Sequence, residues 1–263
     1  MDYLSLDLEP CRMADSLYHI GVEKGPSYLL ETSDGLVLID TAFPKTFDLL
    51  LEHIRKIGKD PHDIRHILHT HGHYDHIGAT RALVELSGAK TYIGAGDEDA
   101  VTGKKNLTYA AELGEEYREI FEPDVILHDG DVLKFGDTEI KVVATPGHTA
   151  GTLSFFFPLN VNGKPYRAGM FGGAGHNTLT REYLNRYSLP ISLRTDYLKS
   201  IDKIAKEKVE FHIGNHLSDN DFHEKAKRMQ AGAEENLFLT ENTYYSFLER
   251  KRQQAVERFA SGW

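Results

Sequence analysis

The chain has 263 residues, 40% hydrophobic and 27% charged, with a net charge of −10 and one cysteine, Cys11. The balance is that of a soluble globular protein. The lone thiol excludes an intrachain disulfide, and the acidity argues against nucleic acid, which needs a concentrated basic surface. No run approaches the roughly 18 apolar residues of a membrane span. The N-terminal stretch is acidic where a secretory signal would be basic and then apolar, so a cytoplasmic protein is expected.

Residues 17–22, 28–32 and 36–39 read as strands, with Ser33-Asp34-Gly35 as a hairpin turn. Phe47, Leu50, Leu51, Ile54 and Ile57 recur at helical spacing and stop at Gly58. A short apolar strand over 64–68, a helix over 79–86 and a strand over 90–93 follow. The stretch 97–123 is polar, mostly helical in propensity and weakly patterned, which marks an insertion. Strand character returns over 125–157, broken at His128-Asp129-Gly130 and Gly136-Asp137. A helix is predicted over about 193–206, a strand over 209–213 and an amphipathic helix over 242–259. With no repeat or low-complexity linker, this alternation implies one layered α/β domain over 1–263, with a helical tail from about 222.

Four of the 14 histidines fall in residues 69–76, HTHGHYDH. His71 and His73 lie two apart, so in extended backbone both imidazoles leave from one face and can converge on one ion. Asp75 and His76 follow at a turn that can aim them at a second point. Imidazole and carboxylate together suit zinc. Four ligands on one short loop would crowd a single small ion, so a pair of ions fits better. His69 belongs to the strand end and is read as structural, as is His212 inside its strand. His148 sits on a Pro-Gly turn between strands, and His216 on a Gly-containing turn after one; both are placed as loop ligands. His128 and His176 also lie on turns, without a comparable setting.

In order and spacing, His71-x-His73-x-Asp75-His76, the turn Thr145-Pro146-Gly147-His148-Thr149 and the late His216 resemble the metallo-β-lactamase superfamily across nearly the whole chain. The resemblance implies a four-layered αββα sandwich with the metal site at the edge between the two sheets. It also implies that Asp40 supports the metal-binding loop from behind. Many members carry a metal-bridging aspartate after the third histidine; here the matching YRAGMFGGAGHN has none. In this the chain is similar to subclass B3 β-lactamases and their B3-like hydrolase relatives. Carried over from them, one Zn2+ takes His71, His73 and His148, and a second takes Asp75, His76 and His216.

The activity so implied is a zinc-dependent hydrolase. It would use a metal-bound hydroxide to cleave an amide, lactam or ester bond of a small-molecule substrate, with Asp75 as the catalytic carboxylate. No Gly-x-Ser-x-Gly elbow competes with a metal-first mechanism. Many B3 lactamases place substrate-binding serines where this chain has Gly-Gly-Ala-Gly-His-Asn, which argues against an antibiotic-resistance role. His176 and Asn177, the first polar side chains after those glycines, are the candidate substrate contacts. Two other readings of the scaffold are an iron-dependent redox protein and a non-catalytic metal-binding module.

Overall fold

The computed structural model describes residues 2–240 and 242–263. One sheet has seven strands in chain order: β1 (Cys11–Arg12), β2 (Leu17–His19), β3 (Tyr28–Thr32), β4 (Gly35–Ile39), β5 (Ile64–Leu68), β6 (Lys90–Gly94) and β7 (Val125–Leu127). The other has five: β8 (Val132–Phe135), β9 (Thr138–Ala144), β10 (Leu153–Val161), β11 (Lys164–Met170) and β12 (Phe211–Ile213), in the order β12-β11-β10-β9-β8. The described α-helices are α1 (Phe47–Lys56), α2 (Tyr74–Ile77), α3 (Thr80–Ser87), α4 (Glu98–Val101), α5 (Arg181–Arg186), α6 (Leu193–Ile204), α7 (Phe222–Gln230) and α8 (Thr243–Ala260). None is long and apolar enough to cross a membrane.

Strand alternation explains the layering, because successive side chains point to opposite faces. Tyr28, Leu30, Val37 and Ile39 face inward, into one core with Ile140, Val142, Phe155, Phe157 and Met170 of the second sheet. Their neighbours Leu29, Leu36 and Leu38 face outward and pack on Leu50 and Ile54 of α1 and Leu83 of α3. Across the molecule Val143 and Phe156 turn away from the shared core, toward Tyr197 and Ile201 of α6 and Tyr244 and Phe247 of α8. Helix, sheet, sheet, helix is the αββα order that the family resemblance implied. Each fully buried Phe or Leu contributes on the order of 1.5–3 kcal/mol to holding these layers together.

Two expectations are corrected. Residues 97–123 are not mostly helical: they hold only α4 and a 3-10 turn at Ala111–Leu113. Gly103 and Gly114, both at φ 73°, break any longer helix. The strand expected to stop at Phe157 runs on to Val161, then turns through Asn162-Gly163 into β11, which pairs with it from Phe155–Met170 to Val161–Lys164.

Register brings the functional loops to one edge. In the first sheet β4 and β5 run parallel with Ile39 beside Leu68, so Asp40 and the histidine loop emerge together. In the second, Ala144 pairs with Leu153 and Met170 with Ile213. The turn carrying His148 and the loop carrying His216 therefore leave the same end.

Candidate metal centre

The side chains named from the sequence gather in two clusters. Ligand atoms of His71, His73 and His148 lie within 4.8 Å of one another, and so do those of Asp75, His76 and His216. The clusters adjoin, with the His71 and His76 rings 4.1 Å apart between centroids. Each draws two residues from the segment after β5, His71 and His73 from the loop and Asp75 and His76 from α2. The third comes from the second sheet: His148 between β9 and β10, and His216 after β12.

A hydrogen-bonded layer behind the rings sets which nitrogen faces the site. Asp40 sits in the left-handed region at φ 60°, a conformation Asp tolerates better than most residues. Its Oδ1 accepts from the Thr70 backbone N–H at 2.8 Å, and its Oδ2 accepts from the Thr70 hydroxyl and from His76 Nδ1–H, both at 2.7 Å. The Thr70 oxygen in turn accepts from His71 Nδ1–H at 3.0 Å and from Asn215 Nδ2 at 3.2 Å. His148 Nδ1–H donates to the Gly175 carbonyl at 2.9 Å. With those protons committed, the Nε2 atoms of His71, His76 and His148 are the ones left for an ion, the arrangement typical of metal-bound histidine.

Electrostatics point the same way at the first cluster, whereas at the second, against burial, Asp75 and Asp40 hold the His76 proton, up to about 10, which an ion would have to displace. Burial pushes the pKa of His71 and His148 well down and that of His73 to about 3, so these rings are neutral, with lone pairs available. His71 Nε2 faces His73 Nδ1 at only 3.1 Å. One ring can donate to the other at that distance, and with that proton gone both nitrogens can turn to one cation. At Asp75 burial favours the neutral acid, but His76 beside it, then His216 and His73, outweigh that and drive the pKa down. His76 Nε2 is buried without a hydrogen-bond partner and lies 3.5 Å from Asp75 Oδ2; His216 Nε2 lies 3.8 Å from the same oxygen. An orphaned buried nitrogen beside a carboxylate oxygen and a second imidazole is a donor set that fits zinc.

The remaining histidines are placed elsewhere. His69 is buried against Tyr92 O and Thr80 Oγ1, at 2.9 and 2.7 Å. His212 packs on Tyr244 and Phe247, and His128 stands on the turn after β7, outside both clusters. His176 is buried, its ring near Tyr197 and edge-on to Trp263, whereas Asn177 is exposed. Neither lines the cavity of about 400 Å³ that opens beside Asp75 and His216, bounded also by Lys24, Phe43, Leu113 and His223. Sequence reasoning missed Asp97, a buried carboxylate touching both histidine-bearing loops.

A family model described as the Metallo-beta-lactamase superfamily matches residues 20–161, more than half of the chain. The chain belongs to the metallo-β-lactamase superfamily. It is similar over 98% of its length to the native FEZ-1 metallo-β-lactamase from Legionella gormanii, covering 97% of that chain at 25% identity and a TM-score of 0.89. BJP-1, a subclass B3 metallo-β-lactamase of Bradyrhizobium japonicum, superposes over 100% of this chain and 97% of its own with a TM-score of 0.87. At 24% identity that likeness is one of fold. Among curated sequences, a hydroxyacylglutathione hydrolase of Gloeothece citriformis is 30% identical over 122 residues, 46% of this chain and 38% of that protein. The chain spans about half the length of the curated relatives it matches.

Proposed function

We propose that the protein is a hydrolase holding two Zn2+ ions, one at His71, His73 and His148 and one at Asp75, His76 and His216, and cleaving an amide, lactam or ester bond of a small molecule. The observation that carries this reading is the pair of adjoining three-donor clusters, within 4.8 Å each, at the edge between the sheets. When bound, such a pair of cations lowers the pKa of water toward 7 and polarises a carbonyl.

The residues divide the remaining work. Asp40 and Thr70 hold His76 and His71 in the tautomers that offer Nε2. Asp75, its side chain 18% exposed, would accept a hydrogen bond from the attacking water and orient it. The cavity beside Asp75 and His216 receives the substrate, with Phe43 and Leu113 against its apolar part. Asn177 stands as a substrate contact from an exposed rim near Gly175 and His148, and His176 as one that must first leave its packing on Trp263.

The B3-type division of ligands is supported at Gly172 and Gly173. A Cβ at Gly172 would lie 1.8 Å from the Leu153 carbonyl oxygen, and one at Gly173 2.8 Å from His148 Cβ. The end of β11 therefore has no room for a metal-bridging aspartate. Elemental analysis of protein purified without added metal, and hydrolysis of a chromogenic cephalosporin beside a panel of lactones and thioesters, test the reading. Two zinc ions and turnover of one class are expected. Iron in place of zinc, or no turnover by the two-zinc protein, would overturn it.

A further inference from the structure

We infer that Asp97 is a positioning residue: it locks the loop of His71 and His73 to the turn of His148, and so sets how tightly that cluster holds its ion. The inference rests on the metal-binding reading above. Asp97 follows β6 and is buried, 4% exposed. Its Oδ2 accepts from the Gly72 backbone N–H at 2.8 Å and from the Thr149 hydroxyl at 2.7 Å; its Oδ1 accepts from the Gly151 N–H at 2.9 Å. Gly72 stands between His71 and His73, and Thr149 directly follows His148. One carboxylate thus ties together the two segments that supply all three nitrogens of the cluster.

The local backbone is built for this approach. A Cβ on Gly151 would lie 2.6 Å from Asp97 N and 2.7 Å from its Cγ, and one on Gly94 would lie 2.0 Å from Gly151 O. Gly72, His73, Asp97, His148 and Thr149 all border one small cavity of about 30 Å³. Among the described residues no Lys, Arg or His pairs with Asp97, so hydrogen bonds alone satisfy it. Burial pushes its carboxyl up, and the bonds from Thr149, Gly72 and Gly151 oppose that. All three neighbours present hydrogens, which suits the ionised form, an acceptor only.

An amide cannot take the place of the carboxylate. In Asp97→Asn the Nδ2 group must face a backbone N–H, of Gly72 or Gly151, that has no other role to adopt. Residues that orient histidine ligands are worth about 10- to 100-fold in metal affinity. The test is competition for zinc by a chromophoric chelator, read as two dissociation constants, in the wild type and in D97N, T149V and T149S. D97N is expected to weaken one ion by that factor and the other less. T149V, which removes one donor and keeps the charge and both backbone bonds, is expected to lose several-fold; T149S, which keeps the hydroxyl, restores wild-type binding. Unchanged constants in a folded D97N would overturn the inference. If D97N does not fold, wild-type affinity in T149V would overturn it equally. A wild type that binds no zinc would instead defeat the metal-binding reading itself.

Discussion

Tyr28, on β3 of the first sheet, donates its hydroxyl proton to the carbonyl of Gly214 at 2.6 Å, two residues before His216. The bond spans 186 positions of chain and fixes the start of the His216 loop against the opposite sheet. Burial pushes the Tyr28 pKa far up, so the hydroxyl always carries its proton. Tyr28→Phe leaves the Gly214 carbonyl buried without that partner, at about 1–3 kcal/mol. Thermal unfolding should show the loss, and zinc titration should show the ion at His216 weakened. A variant equal to wild type in both would mean that the loop is held by other contacts.

Asp75→Asn is expected to abolish hydrolysis while leaving the circular dichroism spectrum near wild type. The residue lies in the first turn of the short α2, with its side chain 18% exposed rather than in the core. The isostere keeps the shape and removes the charge beside the reacting water. Near-normal turnover would sink the catalytic role.

His216→Ala should release the ion shared with Asp75 and His76 more readily than the ion at His71, His73 and His148. Elemental analysis after dialysis against a weak chelator measures this. Equal loss of both ions would show that the partition of ligands is wrong.

Asp40→Asn is a sharper probe than alanine, because Asn also tolerates the left-handed backbone found at this position. Asp40 accepts only from donors, namely Thr70 N–H, Thr70 O–H and His76 Nδ1–H. The amide must turn its own hydrogens on one of them, and His76 loses its fixed tautomer. Zinc affinity is expected to fall about 10- to 100-fold with the fold retained. Wild-type affinity would leave Asp40 a purely structural residue.

His176 offers a pH test with a built-in reporter, since Trp263, the single tryptophan of the chain, lies 5.6 Å from its ring. Burial first, then Arg258 and Lys251, push the His176 pKa down to about 4, below the roughly 6.5 of an unfolded chain. Protonation thus favours the unfolded state: the contribution of His176 to stability is complete above about pH 6.5 and is lost as pH falls toward 4. Trp263 emission should stay flat between about pH 8 and about pH 6, where an ordinary imidazole titrates. The wild type should also lose more melting temperature on acidification than His176→Gln. An emission step near pH 6.5 that disappears in H176Q would show the ring charged and solvated.

Local pattern made much of the fold legible. The alternation in Tyr28–Thr32 and Gly35–Ile39 is a direct print of two unlike faces, inner core against outer helix. The stretch 97–123 misled because helical propensity was all it offered; Gly103 and Gly114 in left-handed conformations decided otherwise. At the site, His71, His73, Asp75 and His76 declared themselves by spacing within one short segment. Asp97 did not. Two of its three partners are backbone N–H groups 25 and 54 residues away, and the third, the Thr149 hydroxyl, lies 52 residues away, so no local spacing links them. His176 is read as a pocket residue because it is the first polar side chain after Gly172-Gly173-Ala174-Gly175, and its contact with Trp263, 87 positions on, is beyond the reach of local reading.

Both clusters straddle the seam between the sheets, two donors from one side and one from the other, so neither sheet alone can keep either ion. A bound pair would act as rivets through two plates. Prising the plates apart would require tearing out both rivets, and the binding energy of the metals would count directly as cohesion between the halves, about 2.7 kcal/mol for an ion present at a hundred times its dissociation constant. Scarcity of metal would then cost the molecule its integrity along with its chemistry, exposing the aromatic interior around Phe155 and Phe157 to whatever proteases or aggregating neighbours surround it.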